Sequence, residues 1–450
     1  HNSMCFFMDN LGLRQAGAVL VQKGKYFSDF ATVYKNNTAK SQGGALYMFL
    51  IQSVLLLTCI ISDNIAEKGS GIHLEVDTVR MSKILFSRNE GTSIFTIGTS
   101  KIYQDQCTFF KNVAFGRVLG DGAAINVFKT GYVEIVHCVF MKNRVGHEGG
   151  AVSLSECHKA EIKHCIFSNN FAVNNGGSVS CIETPYFEIM YSLFINQTSK
   201  SSGGAVFING QKRMQSLYLS KNSFVQDFAE TDGGGIYISE ASNITLYNIS
   251  FVSNMAKGRG GAIFVYLAVH EISIVEIKMC QFINNLANTD GAAMSITGAT
   301  KIDLSNNNVD DGLSGERKSE SNDILSLHSA FIAIHNVFFN MHNRLNVLNT
   351  YTTKGVLFDG LKFICPLLTY LKEEHTNVSV GKCLFPDACE TFRFRYQCFA
   401  CRKNSYIAHI GVWNIDSDTM VSLQAPKCYN CPFGGKCHRG KLTALPNYWG

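Results

Sequence analysis

Phe140-Met141-Lys142-Asn143-Arg144-Val145-Gly146-His147-Glu148-Gly149-Gly150-Ala151-Val152 is followed 27 residues later by Phe167-Ser168-Asn169-Asn170-Phe171-Ala172-Val173-Asn174-Asn175-Gly176-Gly177-Ser178-Val179. Both blocks read Phe-x-x-Asn, then a short polar turn, then two glycines followed by a small and an aliphatic residue. Phe251, Asn254 and Ala256 lead in the same way to Gly260-Gly261-Ala262-Ile263, and Phe282, Asn285 and Ala287 lead to Gly291-Ala292-Ala293-Met294. Weaker copies begin at Ile61, Phe86, Phe109, Phe194 and Phe224. The second small residue recurs from Gly44 to Ala292 about every 27 residues, which is the period of a repeat array.

The pattern inside the repeat excludes helical arrays. After the glycines stands an aliphatic column, Leu46, Ile72, Ile94, Ile125, Val152, Val179, Val206, Ile236, Ile263 and Met294. Two residues later comes a second column, Met48 to Ile296, and the residue between them varies from polar to aromatic. That is the period of a strand with one buried face. A further strand precedes the phenylalanine, with Ile135, Ile162, Ile189, Leu219, Leu246 and Ile277 in register. Glycine pairs once per repeat would break any helix. The expected fold is all-β, a right-handed single-stranded parallel β-helix of the pectin-lyase-like kind, in which equivalent positions of successive coils stack about 4.8 Å apart. Asn64, Asn89, Asn112, Asn143, Asn170, Asn254 and Asn285 then form one ladder, with Gln197 and Asp227 in the same slot.

Gly-Gly-Ala-aliphatic and Phe-x-x-Asn are together the hallmarks of the repeat of chlamydial polymorphic outer-membrane proteins, and this chain resembles that repeat over residues 28 to 300. The resemblance implies the β-helical fold. Related β-helices serve as adhesins, transported passengers and polysaccharide enzymes, so it does not choose a function. No autotransporter barrel is visible in the sequence.

The organisation expected is a β-helix over 1–364, with clear coils at 28–300 and degenerate coils at 301–364, followed by a cysteine-rich extracellular module at 365–450. Ser305 to Asp323 is polar and reads as a loop, with strands resuming at Ile324–Leu327, Phe331–Ile334 and Val337–Phe339. His1 at the start and Gly450 directly after Trp449 read as the ends of a fragment whose C-terminal module is truncated. The apolar stretch from Met48 to Ile61 is too short and too interrupted to span a bilayer, so a membrane is expected only through a segment outside this chain.

Eight of the 16 cysteines crowd the module: Cys365, Cys383, Cys389, Cys398, Cys401, Cys428, Cys431 and Cys437. They read as disulfides formed in an oxidising compartment, with connectivity open; zinc held by the Cys-x-x-Cys pairs is the rival. The stretch from Cys428 to Cys437, with Pro446-Asn447-Tyr448-Trp449-Gly450 after it, resembles the juxtamembrane cysteine module of large protist surface proteins with β-helical repeats. Cys59, Cys107, Cys138, Cys165 and Cys280 instead precede the phenylalanine slot by two residues and read as buried thiols, although a disulfide between stacked Cys138 and Cys165 is geometrically conceivable.

A net charge of +5 spread over 450 residues gives no nucleic-acid footprint. Asn288-Thr289-Asp290-Gly291 matches a motif of polygalacturonases, with Asp310-Asp311 about one coil on, but Asp290 simply precedes the recurrent small-residue turn and no companion motif follows. His137 and His164 occupy equivalent positions in neighbouring coils, where stacking would bring them within metal-binding reach, but no third ligand repeats, so no metal and no cofactor are expected. Sequons stand at Asn36, Asn196, Asn243, Asn248 and Asn377. The residue between the two buried aliphatics must point outward, and Phe207, Tyr237 and Phe264 in that column are expected to form an exposed aromatic strip that binds a glycan or a surface protein. The functional expectation is a non-catalytic, extracellular adhesion or recognition protein, the ectodomain of a membrane protein, with a polysaccharide lyase or glycoside hydrolase as the alternative.

Overall fold

The computed structural model describes residues 2–115, 121–267, 273–289, 291–310, 322–327, 330–334, 337–339, 346–352, 356–359, 361–364, 369–379, 390–401, 404–406, 412–415, 428–432, 435–438 and 441–444. Among these residues all regular structure is β, wound as a parallel solenoid of about 11 turns.

One coil shows how the repeat is spent. Val152–Ser155 and Lys159–Lys163 lie in one long sheet, Ile166–Ser168 in a second and Phe171–Ala172 in a third. Each pairs in parallel with its counterpart in the following coil, Val152 with Val179, Lys159 with Tyr186, Ile166 with Leu193 and Phe171 with Thr198. The corners are single left-handed residues: Glu156, His164, Asn169 and Gly176 all have φ between 52° and 67°. At the last corner two glycines are needed for different reasons. Gly176 adopts the positive φ, while a Cβ on Gly177 would sit 2.0 Å from the carbonyl oxygen of Gly204 in the neighbouring coil.

The molecule divides into two compact units, His1–Thr245 with Asn254–Lys257, and Leu246–Ser253 with Gly258–Gly450. In the first, Phe86, Phe109, Phe140, Phe167, Phe194 and Phe224 are fully buried and stack ring on ring at 4.6–4.9 Å. Burying each ring contributes about 2–3 kcal/mol, and each stacked pair adds about 1 kcal/mol. Beside them runs the amide ladder. Asn143 donates its backbone N–H to Asn170 Oδ1 (3.0 Å), and Asn170 donates in turn to Gln197 Oε1 (3.0 Å). Each side-chain amide also donates to the carbonyl of an earlier phenylalanine, Asn143 to Phe109 and Asn170 to Phe140.

The ladder begins earlier than residue 28. Phe7 stacks on Tyr34 at 5.1 Å, and Asn10 donates to Asn37 Oδ1 at 2.8 Å, so the first coils follow the same rule with tyrosine in the phenylalanine slot. In the second unit Phe251 stacks on Phe282 at 5.1 Å. The polar stretch from Ser305 also departs from expectation, because Asn308–Asp310 is still a paired strand: Val309 fills the phenylalanine column opposite Phe282 and Phe338. Asn322–Leu327, Ala330–Ile334 and Val337–Phe339 continue the parallel pairing. Pairing turns antiparallel where Asn346–Thr352 meets Glu390–Ala400, which also pairs with Thr369–Ser379, and where Leu361–Ile364 meets Val412–Ile415.

Cys401 is bonded to Cys428 and Cys431 to Cys437, and Cys398 is also disulfide-bonded, so these sulfurs are oxidised and unavailable to zinc. Cys365, Cys383 and Cys389 lie outside the described residues. Cys59, Cys107, Cys138, Cys157, Cys165, Cys181 and Cys280 are free and buried, and Cys138 and Cys165 are not joined.

Candidate functional site

The aromatic column expected to lie exposed is largely covered. Phe207 is 7% exposed and Phe264 1%, and only Tyr237 is half-buried. Phe207 stacks on Tyr237 at 5.1 Å, and the Arg259 guanidinium lies 4.5 Å from the Phe264 ring centre. Phe207 and Phe264 alternate with the fully buried Val206, Ile208, Ile263 and Val265, yet they are covered rather than exposed, and at Phe207 the glycine corner folds against the base of the column. A Cβ on Gly176 would lie 3.2 Å from Phe207 Cβ, and one on Gly43 would lie 2.8 Å from Tyr47 Cβ. Further along the same column Tyr47, His73 and Phe95 stack at 5.0 Å. Glu75 accepts from the Tyr47 hydroxyl at 3.1 Å and lies 3.0 Å from His73 Nε2. Burial lowers the His73 pKa against the pull of Glu75, and burial together with Glu75 pushes Tyr47 up to about 12. This column is an external packing seam.

The long sheet offers a more open surface. In the strands that precede each phenylalanine, Val54, Leu56, Val79, Met81, Ile102, Val133 and Ile135 point inward and are buried. The alternate residues therefore face out: Leu55 and Leu57, Arg80, Tyr103 and Asp105, Glu134 and Val136. Together with the corner residue His137 they line a groove of about 540 Å³. Arg80 lies over the Tyr103 ring at 5.1 Å, and Tyr103 meets Tyr132 edge to face at 5.9 Å. His137 Nδ1 is 3.1 Å from Asp105 Oδ1 and its ring stacks on His164 at 5.1 Å, so the two histidines do stack as their positions implied.

Down the same column Glu134, Glu161 and Glu188 stand opposite one another on successive coils. Stacked carboxylates on an outer β-helix face are the arrangement from which polysaccharide chemistry could be built, so their state decides what this face can do. Lys159 lies 2.6 Å from Glu161 and 3.5 Å from Glu188, while Lys163 pairs with Glu161 and lies 3.8 Å from Glu134. Tyr132 donates to Glu161 at 3.0 Å. Burial raises the Glu161 pKa, but Lys159, Lys163 and Tyr132 outweigh it and hold the carboxyl below its ordinary 4.5. A carboxylate stabilised in this way cannot deliver a proton near neutral pH. Two lysines thus bridge the three carboxylates, and the central one, Glu161, is paired with both.

Asp290 and Asp311 lie outside the described residues, and Asp310 ends the strand Asn308–Asp310. The backbone N–H groups of Asn288 and Thr289 both donate to the Gly258 carbonyl of the preceding coil at 3.1 Å. Asn36, Asn196, Asn243 and Asn248 are exposed, and Asn377 lies in the strand Thr369–Ser379. Among the described residues, no group of three or more His, Cys, Asp or Glu side chains is arranged to hold a metal ion.

One feature was not anticipated from the sequence: a second groove at the corner before the amide ladder, about 620 Å³ in volume, bordered by Arg88, Lys111, Lys142 and Arg144. Its signal was present as a cation directly before each ladder asparagine in three consecutive coils, Arg88-Asn89, Lys111-Asn112 and Lys142-Asn143.

Residues 19–188 match the family model of the right handed β-helix region, and residues 248–266 match the Chlamydia polymorphic membrane protein repeat. No curated protein and no solved structure matches the chain. The repeat match points to a surface or outer-membrane protein.

Proposed function

Taking the chain as a β-helix repeat protein of the polymorphic-membrane-protein type, we propose that it is the extracellular part of a surface protein and recognises a glycan or a partner protein without chemically altering it. The observation that carries this reading is the groove of the long sheet. Leu55, Leu57 and Tyr103 place apolar surface beside Arg80, Asp105 and Glu134, and the acids there are already partnered by His137 and Lys163. Apolar surface with a few fixed polar groups is a recognition surface. A glycoside hydrolase of pectin-lyase-like fold would instead need a carboxyl group free to exchange a proton, and the Glu134, Glu161 and Glu188 row is bound to lysines. The oxidised cysteines of the C-terminal module and the exposed sequon asparagines fit an extracellular location.

The test combines Leu55→Ser with Tyr103→Ala and measures attachment of the purified chain to cells and to a glycan array. Loss of attachment at an unchanged melting temperature supports the reading. Cleavage of a polyuronate by the unmodified chain, abolished by Glu161→Gln, would overturn it.

A further inference from the structure

We propose that the corner groove is a binding site for a linear sulfated polysaccharide running along the stacking direction. It is separate from the groove of the long sheet and does not depend on the role assigned there.

Among the described residues of this column the corner is a single left-handed residue. Asp9, Asn36, Asp63, Asn169 and Asn196 occupy it as local backbone preference dictates, since Asn and Asp tolerate positive φ. Gln226 and Ser253 occupy it in later coils, and Arg88 (φ 53°), Lys111 (φ 56°) and Lys142 (φ 56°) occupy it on three consecutive coils, which makes a row of cations. All three side chains are exposed. Arg88 is committed to Asp63 through a two-point ion pair, Nε to Oδ1 at 2.6 Å and Nη2 to Oδ2 at 2.8 Å. Lys111, Lys142 and Arg144 have no carboxylate within ion-pair distance among the described residues. No Asp or Glu lines this groove; Glu67 and Glu90 border the adjoining one, which shares Arg88 and Lys111 with it, so the cationic end is the one at Lys142 and Arg144. Lys111 and Lys142 repeat at the coil spacing of about 4.8 Å, where like charges in neighbouring strands repel. Three uncompensated cations gathered in one concavity are complemented by an anionic ligand.

The remaining lining chooses among anions. Asn169, Asn196 and Thr198 extend the groove beyond the cations with neutral hydrogen-bonding groups, which suit hydroxyls placed between charges. The aromatic rings nearby already carry a cation over one face, Phe110 that of Lys111 at 5.0 Å and Phe171 that of Arg144 at 4.9 Å, so the faces beside the cations are taken and not free for base stacking. A sulfated sugar chain presents both sulfate and hydroxyl groups in a row, and a nucleic acid would leave the neutral end of the groove unused.

The full chain is passed over immobilised heparin, its desulfated form, vesicles rich in phosphatidylserine, and duplex DNA. Binding to heparin is expected to exceed binding to the other three. Lys111→Gln combined with Lys142→Gln is expected to weaken heparin binding about tenfold or more and to flatten its salt dependence by about two counterions. Lys83→Gln with Lys101→Gln removes the same net charge elsewhere and is expected to leave binding within about twofold. Asn169→Lys lengthens the cation row by one coil and is expected to strengthen binding. Equal weakening by the Lys83 and Lys101 pair, equal binding of desulfated heparin, tighter binding to vesicles or DNA, or no gain from Asn169→Lys would each overturn the proposal.

Discussion

On the long sheet of the first unit, Glu134, Glu161 and Glu188 form a row of like charges one coil apart, and so do Arg88, Lys111 and Lys142 at the corner before the amide ladder. Stacking forces like residues together in both places, and each row must be dealt with electrostatically. The carboxylates are answered within the protein by Lys159 and Lys163, two residues to either side of Glu161 on the same strand face. In the corner only Arg88 is answered, by Asp63. A repeat fold thus shows which of its charges serve the fold and which face outward for something else, because every coil had the same opportunity to supply a counter-charge.

The largest expected effect separates both rows from the interior beneath them. Val179 is fully buried and stacks between Val152 and Val206. Val179→Asp is expected to cost more than about 4 kcal/mol and to unfold the neighbouring coils, read as loss of β-sheet circular dichroism. A normally folded Val179→Asp chain would remove the structural frame on which both rows are placed.

Glu161→Gln is expected to cost about 1–3 kcal/mol, since it leaves Lys159 and Lys163 facing each other across a nearly buried amide. The sign with pH follows from a carboxyl whose pKa is lowered on folding. Its stabilisation is complete above its ordinary 4.5 and is lost as pH falls below that value, so acid unfolding of the variant is expected to be shallower than that of the parent chain. Coincident acid titrations would mean that the acidic row is not the fold's own.

Asp227 tests the interior ladder at one point of conflict. It is fully buried in an asparagine slot, where its Oδ1 accepts from the Gln197 N–H at 2.8 Å. Burial pushes its pKa well above the ordinary 3.8. A carboxyl whose pKa is raised on folding stabilises below that ordinary value and loses the contribution as pH rises, so the parent chain carries a penalty at neutral pH. Asp227→Asn restores the amide present at Asn170 and Asn254 and is expected to stabilise by about 1 kcal/mol at pH 7 and by less at pH 4, measured by chemical denaturation.

The interior was readable from residues because one position of each coil always does one job. Phe140 and Phe167, or Asn143 and Asn170, are recognisable by identity and spacing alone. Phe7 with Asn10 escaped because Ala16-Gly17 stands in place of the usual glycine pair, Ala16 taking the left-handed corner at φ 52°, and Tyr34 with Asn37 because tyrosine stands in the ring slot. Val309 escaped for the same reason, a substitution within a column surrounded by polar residues. The exterior was less readable. Alternation reveals on which side of a strand Phe207 and Phe264 stand, but cover depends on how the glycine corner folds over them, and no periodicity encodes that. The corner cations were hidden for a related reason: Lys111 and Lys142 become neighbours only once the register is fixed, and whether a cation is paired depends on acids from other coils.

The most direct test of the contrast between the two rows is the melting temperature of Lys111→Gln with Lys142→Gln against the parent chain, at low and at high salt. If these cations are not part of the fold's own charge balance, the double variant melts at or slightly above the parent at low salt, by a few tenths of a kcal/mol, and the difference vanishes at high salt. A double variant that melts clearly below the parent at low salt would contradict the account, because the cations would then be holding the coils together as Lys159 and Lys163 do.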